Sequence, residues 1–350
     1  MKRILFTLIL ICLILTNTLQ SSPVLKKVDQ WKLKETIAGK HFFSLIDKDN
    51  QLISSFYKMP FLVISRDKIF QFAQYGLGPS EIINSFTDFL YKGDLAIMES
   101  QDKLKIFAKK NGNYSWKETK RIKRSPLFTI MKSALFVDEK FVFAGIEQTQ
   151  TIDAKTGEFF QIKICDDSGK IQKYLLPKKS NFLEIYPLML MNSFLVSYKD
   201  QTVFFLKENQ LKISEIDIKN MRIVREKVLE IPKFYKKMPD NFYIFKKYDN
   251  PKDNFILDIE TWQTSYSAIT AVAIDRNNLV IQVRIFEPEK QKFALLFYNI
   301  TDLKLVNTIL TDDLLLDIKD GKYYCFAGGD PVLDQDGEGD SIINIYSLYN

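Results

Sequence analysis

The residues with the clearest chemical potential sit near the C-terminal end. The run Asp334-Gln335-Asp336-Gly337-Glu338-Gly339-Asp340 places a carboxylate at every second position. Calcium takes six to eight oxygens, often from alternating loop positions. Asp334, Asp336, Glu338 and Asp340 are therefore the candidate calcium ligands. No acidic residue closes the run at the distance a 12-residue calcium loop requires, so a solvated acidic hairpin loop is the competing reading. Histidine chemistry is almost absent, because His41 is the single histidine in the chain. No G-x-S-x-G elbow accompanies it. Zinc and copper sites draw on several His or Cys ligands, and the chain has three cysteines in all. No catalytic residue and no resident cofactor is singled out. Paired carboxylates hydrolyse glycosides, but 43 acidic residues are too many for the sequence to select a pair.

Such residues need elements to hold them. Six segments repeat one arrangement: an alternating apolar strand, a short polar turn, and a second alternating strand. They begin near Leu62, Leu95, Phe141, Phe194, Leu279 and Tyr323, at spacings of 33, 46, 53, 85 and 44 residues. A four-stranded propeller blade occupies roughly 40–45 residues. The chain is therefore expected to be all-β and to form a six-bladed β-propeller over residues 23–350, as a single domain. The strands around Lys32–Ile37, His41–Ile46 and Gln51–Phe56 are expected to be outer strands preceding the first full hairpin. The last repeat, Ile342–Leu348, stops without outer strands of its own. N-terminal strands can supply them, closing the ring and protecting its edges. The 85-residue gap is read as an insertion or crossing segment at residues 232–266, which hold Pro232, Pro239 and Pro251. The alternative is seven blades, with residues 242–260 as the extra hairpin.

The N-terminus reads as a targeting segment. Lys2 and Arg3 precede an apolar run from Ile4 to Leu15, broken by Thr7, and residues 16–22 are short and polar. A run of that length fits a signal peptide and is too short to span a membrane. Residues 1–22 are expected to be removed, leaving an exported chain, periplasmic or extracellular, with no stable membrane span. Cys12 lies inside the apolar run behind Ile9, Leu10 and Ile11, a poor context for lipidation. The chain carries a formal charge of +6, modest for its length. Basic residues cluster at Lys117–Arg124 and Lys233–Lys247, but no nucleic-acid reader motif accompanies them. Solvated strands and loops, and no nucleic-acid partner, are expected. Cys165 and Cys325 fall on the third and sixth repeats, across the ring, far beyond the ~7 Å that a disulfide bridges. Both are expected to be unpaired and buried. Trp31, Trp116 and Trp262 are either core or candidates for a carbohydrate or peptide surface.

The segment Phe72-Ala73-Gln74-Tyr75-Gly76-Leu77-Gly78-Pro79-Ser80-Glu81 resembles the G-x-G-P-G-E-F turn of exported bacterial six-bladed propellers related to the NHL-repeat and TolB types. Ser80 stands in place of the glycine and Ile82 in place of the phenylalanine. Members of that family are mostly of unknown function, so the resemblance implies fold and export more than activity. In its own terms, Gly76 and Gly78 allow close backbone approach, Pro79 favours a turn, and Glu81 anchors the segment that follows. A phosphate loop would need a helix N-terminus, and the neighbours here are strands. The functional expectation is a non-enzymatic propeller binding a protein, peptide or glycan ligand through a loop-lined face. The alternatives are a carboxylate-based hydrolase or lyase, with or without calcium, and a structural envelope component.

Overall fold

The computed structural model describes residues 23–33, 41–56, 61–66, 68–74, 76–82, 87–153, 156–181, 191–199, 201–239, 265–285, 292–327 and 341–349. The chain opens with β1 (Val24–Leu33). The first blade is β2 (His41–Ile46), β3 (Leu52–Phe56), β4 (Phe61–Ser65) and β5 (Lys68–Phe72). The second is β6 (Thr87–Tyr91), β7 (Asp94–Ser100), β8 (Lys103–Lys110) and β9 (Asn113–Arg121). The third is β10 (Phe128–Val137), β11 (Lys140–Thr151), β12 (Thr156–Asp166) and β13 (Ile171–Asn181). The fourth is β14 (Ser193–Tyr198), β15 (Thr202–Lys207), β16 (Gln210–Asp217) and β17 (Arg222–Val228). The fifth is β18 (Ala268–Asp275), β19 (Asn278–Ile285), β20 (Lys292–Asn299) and β21 (Leu305–Thr311). The sixth joins β22 (Leu314–Lys319), β23 (Lys322–Phe326) and β24 (Ser341–Tyr349) to β1.

Six four-stranded sheets thus make a six-bladed β-propeller, as the repeat spacing predicts. The first strand of each order is the innermost. β2, β6, β10, β14, β18 and β22 each pack against their counterparts in the two neighbouring blades, completing a ring around the axis. Ring closure follows the expected route. β1 pairs antiparallel with β24 from Val24↔Tyr349 to Leu33↔Ser341, so one sheet is built from both ends of the chain.

The core is divided among the spaces between blades. Ile53, Phe61 and Val63 of the first blade pack on Leu95, Ile97 and Phe107 of the second. Val142 and Ile164 of the third pack on Val203 and Phe205 of the fourth. Trp31 and Ile343 of the sixth pack on Leu52 and Leu62 of the first. Burying each such side chain contributes about 1.5–3 kcal/mol. Both faces of a blade are therefore apolar, one toward each neighbour, which explains the near-continuous apolar stretches of β7, β11 and β19.

Two expectations are corrected. The segments His41–Ile46 and Gln51–Phe56 are inner strands of the first blade, whereas the hairpin at Leu62 is its outer half. Alternation alone marks a strand but carries no information about its rank from the axis. The alternation pattern does not mark the innermost strands β6, β10, β18 and β22. Residues 242–260, the proposed seventh hairpin, lie outside the described residues. Cys165 and Cys325 sit on β12 and β23, in the third and sixth blades, and both are buried and free. Burial pushes the Cys165 thiol up to about 12, so it is no nucleophile at neutral pH.

Candidate functional site

Because the strands of a blade alternate in direction, the connections divide between its two ends. At one end lie the turns joining first to second and third to fourth strands. All of them span two to five residues. At the other end lie the turns joining second to third strands and the connections between blades. These include residues 73–86, 182–192, 229–267 and 327–340. Every long connection in the chain leaves from this second end.

The short-turn end is stitched tight. Asp47, in the turn after β2, accepts hydrogen bonds from the backbone N–H groups of Asp49 and Gln51, each at 2.9 Å. Its other oxygen takes Lys109 at 2.6 Å and the Tyr114 hydroxyl at 2.8 Å, both from the second blade. Lys319 of the sixth blade donates to the Asp47 carbonyl. Burial pushes Asp47 up, but these donors, Lys109 foremost, outweigh it and hold the carboxyl below its usual range. Asp167 joins the third blade to Tyr91 at 2.5 Å and Lys92 at 2.9 Å of the second. Asp275 accepts from Tyr323 of the sixth blade at 2.7 Å. Gly169 adopts a positive φ of 82°, and a Cβ there would meet the Arg121 carbonyl oxygen at 2.3 Å. The basic segment Lys117–Arg124 joins this stitching through Lys120, which pairs with Asp167 of the third blade, whereas Lys117 on Asp94 and Arg121 on Asp102 pair within the second blade. It is a solvated outer strand, as expected.

At the long-connection end, buried polar groups anchor the loops where they enter a blade. The segment Gly76–Glu81 is one of these. Gly78 donates its N–H to Glu81 Oε2 at 2.8 Å, and Glu81 donates to the Gly78 carbonyl at 3.1 Å. A Cβ on Gly76 would meet that same carboxylate at 2.0 Å, which is why glycine stands there. Lys105, 4% exposed, donates to the Gly78 carbonyl at 3.1 Å and to the Glu81 carbonyl, and pairs with Glu99 at 2.9 Å. The turn thus seals a buried ammonium of the second blade. The third blade repeats the device. Lys163, 1% exposed, pairs with Glu147 at 2.8 Å and donates to the Lys123 carbonyl at 3.0 Å. Glu147 in turn accepts the N–H of Ser125 at 2.8 Å.

The inner strands supply two acids. Asp317 on β22 accepts the N–H of Ile46 on β2 at 2.7 Å. Asp88 on β6 lies on the other side of β2, and its Oδ2 is enclosed with no hydrogen-bond partner. Burial and then the nearby Asp317 push the Asp88 carboxyl up to about 7, and burial pushes Asp317 up to about 6. Sequence reasoning did not find this pair. Among the described residues no cluster of three His, Cys, Asp or Glu could hold a metal. The candidate calcium ligands Asp334, Asp336, Glu338 and Asp340 lie outside the described residues, in a long connection of the second end. His41 begins β2, opposite Phe56. Trp31 is buried against Tyr324, Trp116 is exposed on β9, and Trp262 lies outside the described residues. No helix among the described residues is long and apolar enough to cross a membrane.

No family model matches the chain, and no curated protein matches it in sequence. Solved structures do. One is a "putative exported protein" of Bacteroides fragilis, 15% identical, with a TM-score of 0.59 over 95% of this chain and 97% of that one. Another is the aldose sugar dehydrogenase of Streptomyces coelicolor in its PQQ-bound form, 8% identical over 94% of this chain and 99% of that one, with a TM-score of 0.49. At these identities the likeness bears on the fold alone. The class, a six-bladed β-propeller, is defined by the six four-stranded sheets themselves.

Proposed function

We propose that the chain is an exported, non-enzymatic propeller that binds a protein, peptide or glycan with the long-connection end of its blades. One observation carries this reading: all long connections leave from one end, while the other end consists of short turns bonded across blades. Function on a propeller resides in the loops that the rigid scaffold presents. Export rests on the basic and apolar order of residues 1–22. The similarity of the fold to an exported protein is consistent with it. The test is binding of the mature protein to glycan and peptide arrays. Variants with residues 329–340 replaced by Asn-Gly, or with residues 183–190 replaced by a Gly-Ser linker of equal length, should lose signal. Changes at Asn111 and Gly112, in a short turn, should leave it intact. Equal binding by all variants would refute the reading.

A second reading is favoured by the two acids of the inner strands. Both carboxyls are held above the ordinary carboxylate range, by burial and for Asp88 also by Asp317, as the proton-donating acid of glycoside hydrolysis must be. Hydrolysis of nitrophenyl glycosides, lost in both Asp88→Asn and Asp317→Asn, would put the hydrolase first. Calcium at Asp334 and Asp336 belongs to either reading. Loss of binding on chelation, reproduced by Asp334→Asn with Asp336→Asn, would establish it.

A further inference from the structure

Three buried lysines lie on consecutive blades, and two of them are paired with a glutamate. Lys105 has Glu99 and two carbonyls, and Lys163 has Glu147 and one carbonyl. The third is Lys207, the last residue of β15, 4% exposed. Among the described residues, its ammonium makes one hydrogen bond, to Ser193 Oγ at 2.8 Å. An ammonium has three donors, so two are unused. No carboxylate bonds to it. The nearest acid in sequence, Glu208, accepts the N–H of Asn192 at 2.7 Å instead. The remaining neighbour is the face of the Phe205 ring, 5.8 Å away.

The surroundings hold charges of both signs. Ser193 and Lys207 are directly opposite each other on β14 and β15. Phe205, in phase with Lys207 along β15, faces the third blade. There β10 packs against β14 and carries Lys132, half-buried at the irregularity between Met131 and Ser133. Lys132 repels the charged form of Lys207, and Glu208 attracts it. Burying an ammonium without a counter-charge is costly. The second and third blades meet that cost with a glutamate, and the fourth does not.

We propose that Ser193 and Lys207 form a binding site for an oxyanion group, a carboxylate or a phosphate. The ammonium of Lys207 donates to the anion as a point charge, and the Ser193 hydroxyl turns to donate beside it. The site lies where the 182–192 connection enters the fourth blade. It therefore deepens the binding reading above and rests on it for the identity of the larger ligand, which would carry an anionic group at this position. Burial, and then Lys132, bring the unliganded Lys207 amine down to about 7, so a bound anion should raise it.

The test is thermal unfolding of the full mature protein at pH 6.5 in sodium acetate, sodium phosphate and sodium chloride at equal ionic strength. A ligand that binds only the folded state raises the midpoint. The wild-type midpoint should rise by a few degrees in acetate, in phosphate or in both, relative to chloride, and which salt acts identifies the group. Lys207→Met should abolish the rise while folding as well as wild type in chloride, because Met fills a similar volume without a charge. Ser193→Ala, which removes the second donor, should reduce it at least threefold. The wild-type rise should vanish at pH 9.5, where Lys207 is neutral. Should Lys207→Met fail to fold, the pH comparison and Ser193→Ala decide. No rise in wild type, or a rise unchanged in Lys207→Met or at pH 9.5, overturns the proposal. Array binding that persists while the anion response is absent would remove this site and leave the binding reading standing. An anion response without array binding would do the reverse.

Discussion

The two ends of the blades use the same kinds of residue for different ends. At the short-turn end, acids such as Asp47, Asp167 and Asp275 reach from one blade to donors of the next. At the long-connection end, the buried charges of the second and third blades pair within one blade and use the remaining valence to hold a loop. The first end fixes how blades sit against each other. The second end fixes how loops leave the scaffold. A mutation at the first should therefore act mainly on stability, and a mutation at the second mainly on loop order and binding.

The largest effect should come from Asp47→Ala. It removes four hydrogen bonds and leaves Lys109, 7% exposed along its side chain, with Asp49 as its remaining salt-bridge partner beside the Tyr114 ring. Breaking one partner of a buried pair costs about 3–5 kcal/mol, read from the urea midpoint. A loss below about 1 kcal/mol, the range of a surface pair, would show that this end is not the mechanical one.

Gly169→Ala should come next, at about 1–3 kcal/mol, from a positive φ and a contact with the Arg121 carbonyl that backbone must move to relieve. Lys105→Met sharpens the comparison from the other side. It frees the Gly78 and Glu81 carbonyls, so the segment from Gly76 to Ile82 should be cut faster by protease even under native conditions. Equal cleavage rates would mean that the turn holds itself without the lysine.

These residues also show what could be read in advance. The repeat spacing, the ring closure by β1 and the placement of both cysteines follow from alternation and length, because those are set by blade geometry. The innermost strands escaped notice because they are short or interrupted. β6 carries Asp88 amid Thr87 and Phe89, β22 carries Asp317, and β10 breaks register between Met131 and Ser133. Polar residues that serve the axis spoil the pattern that marks a strand. The buried lysines did leave a trace. Lys105 is in phase with Phe107, Lys163 with Cys165 and Lys207 with Phe205, all buried positions. A lysine in the apolar phase of a strand is the signal, but its partner comes from a distant loop or another strand and cannot be found by periodicity.

The acids near the axis give a smaller, pH-dependent effect. Asp88 and Asp317 have folded pKa values raised above the ordinary 3.8, to about 7 and about 6. The folded state therefore holds these protons more tightly than the unfolded chain. Their contribution to stability is largest below about pH 4 and is lost as pH rises through about 6 to 7. Asp88→Asn should flatten that fall, raising stability at pH 8 relative to wild type and changing little at pH 4. A parallel pH profile for the two proteins would remove the acid pair from the account.

The smallest effect on stability should come from the longest change to the chain. The ends of β23 and β24 are already adjacent, since the Ala327 N–H donates to the Ile342 carbonyl at 2.9 Å. Replacing residues 329–340 by Asn-Gly therefore closes a hairpin whose base exists, with a dipeptide suited to a two-residue turn. Loop-closure entropy changes slowly with length, by about 0.6 kcal/mol per doubling, so the urea midpoint should move by less than about 1 kcal/mol. The same variant lacks Asp334, Asp336, Glu338 and Asp340. Any calcium binding by the acidic loop would disappear with it, measured by titration calorimetry with calcium chloride on both proteins. A loss of several kcal/mol would mean that the loop packs on the scaffold as the short turns do, and the contrast between the two ends would collapse at this blade.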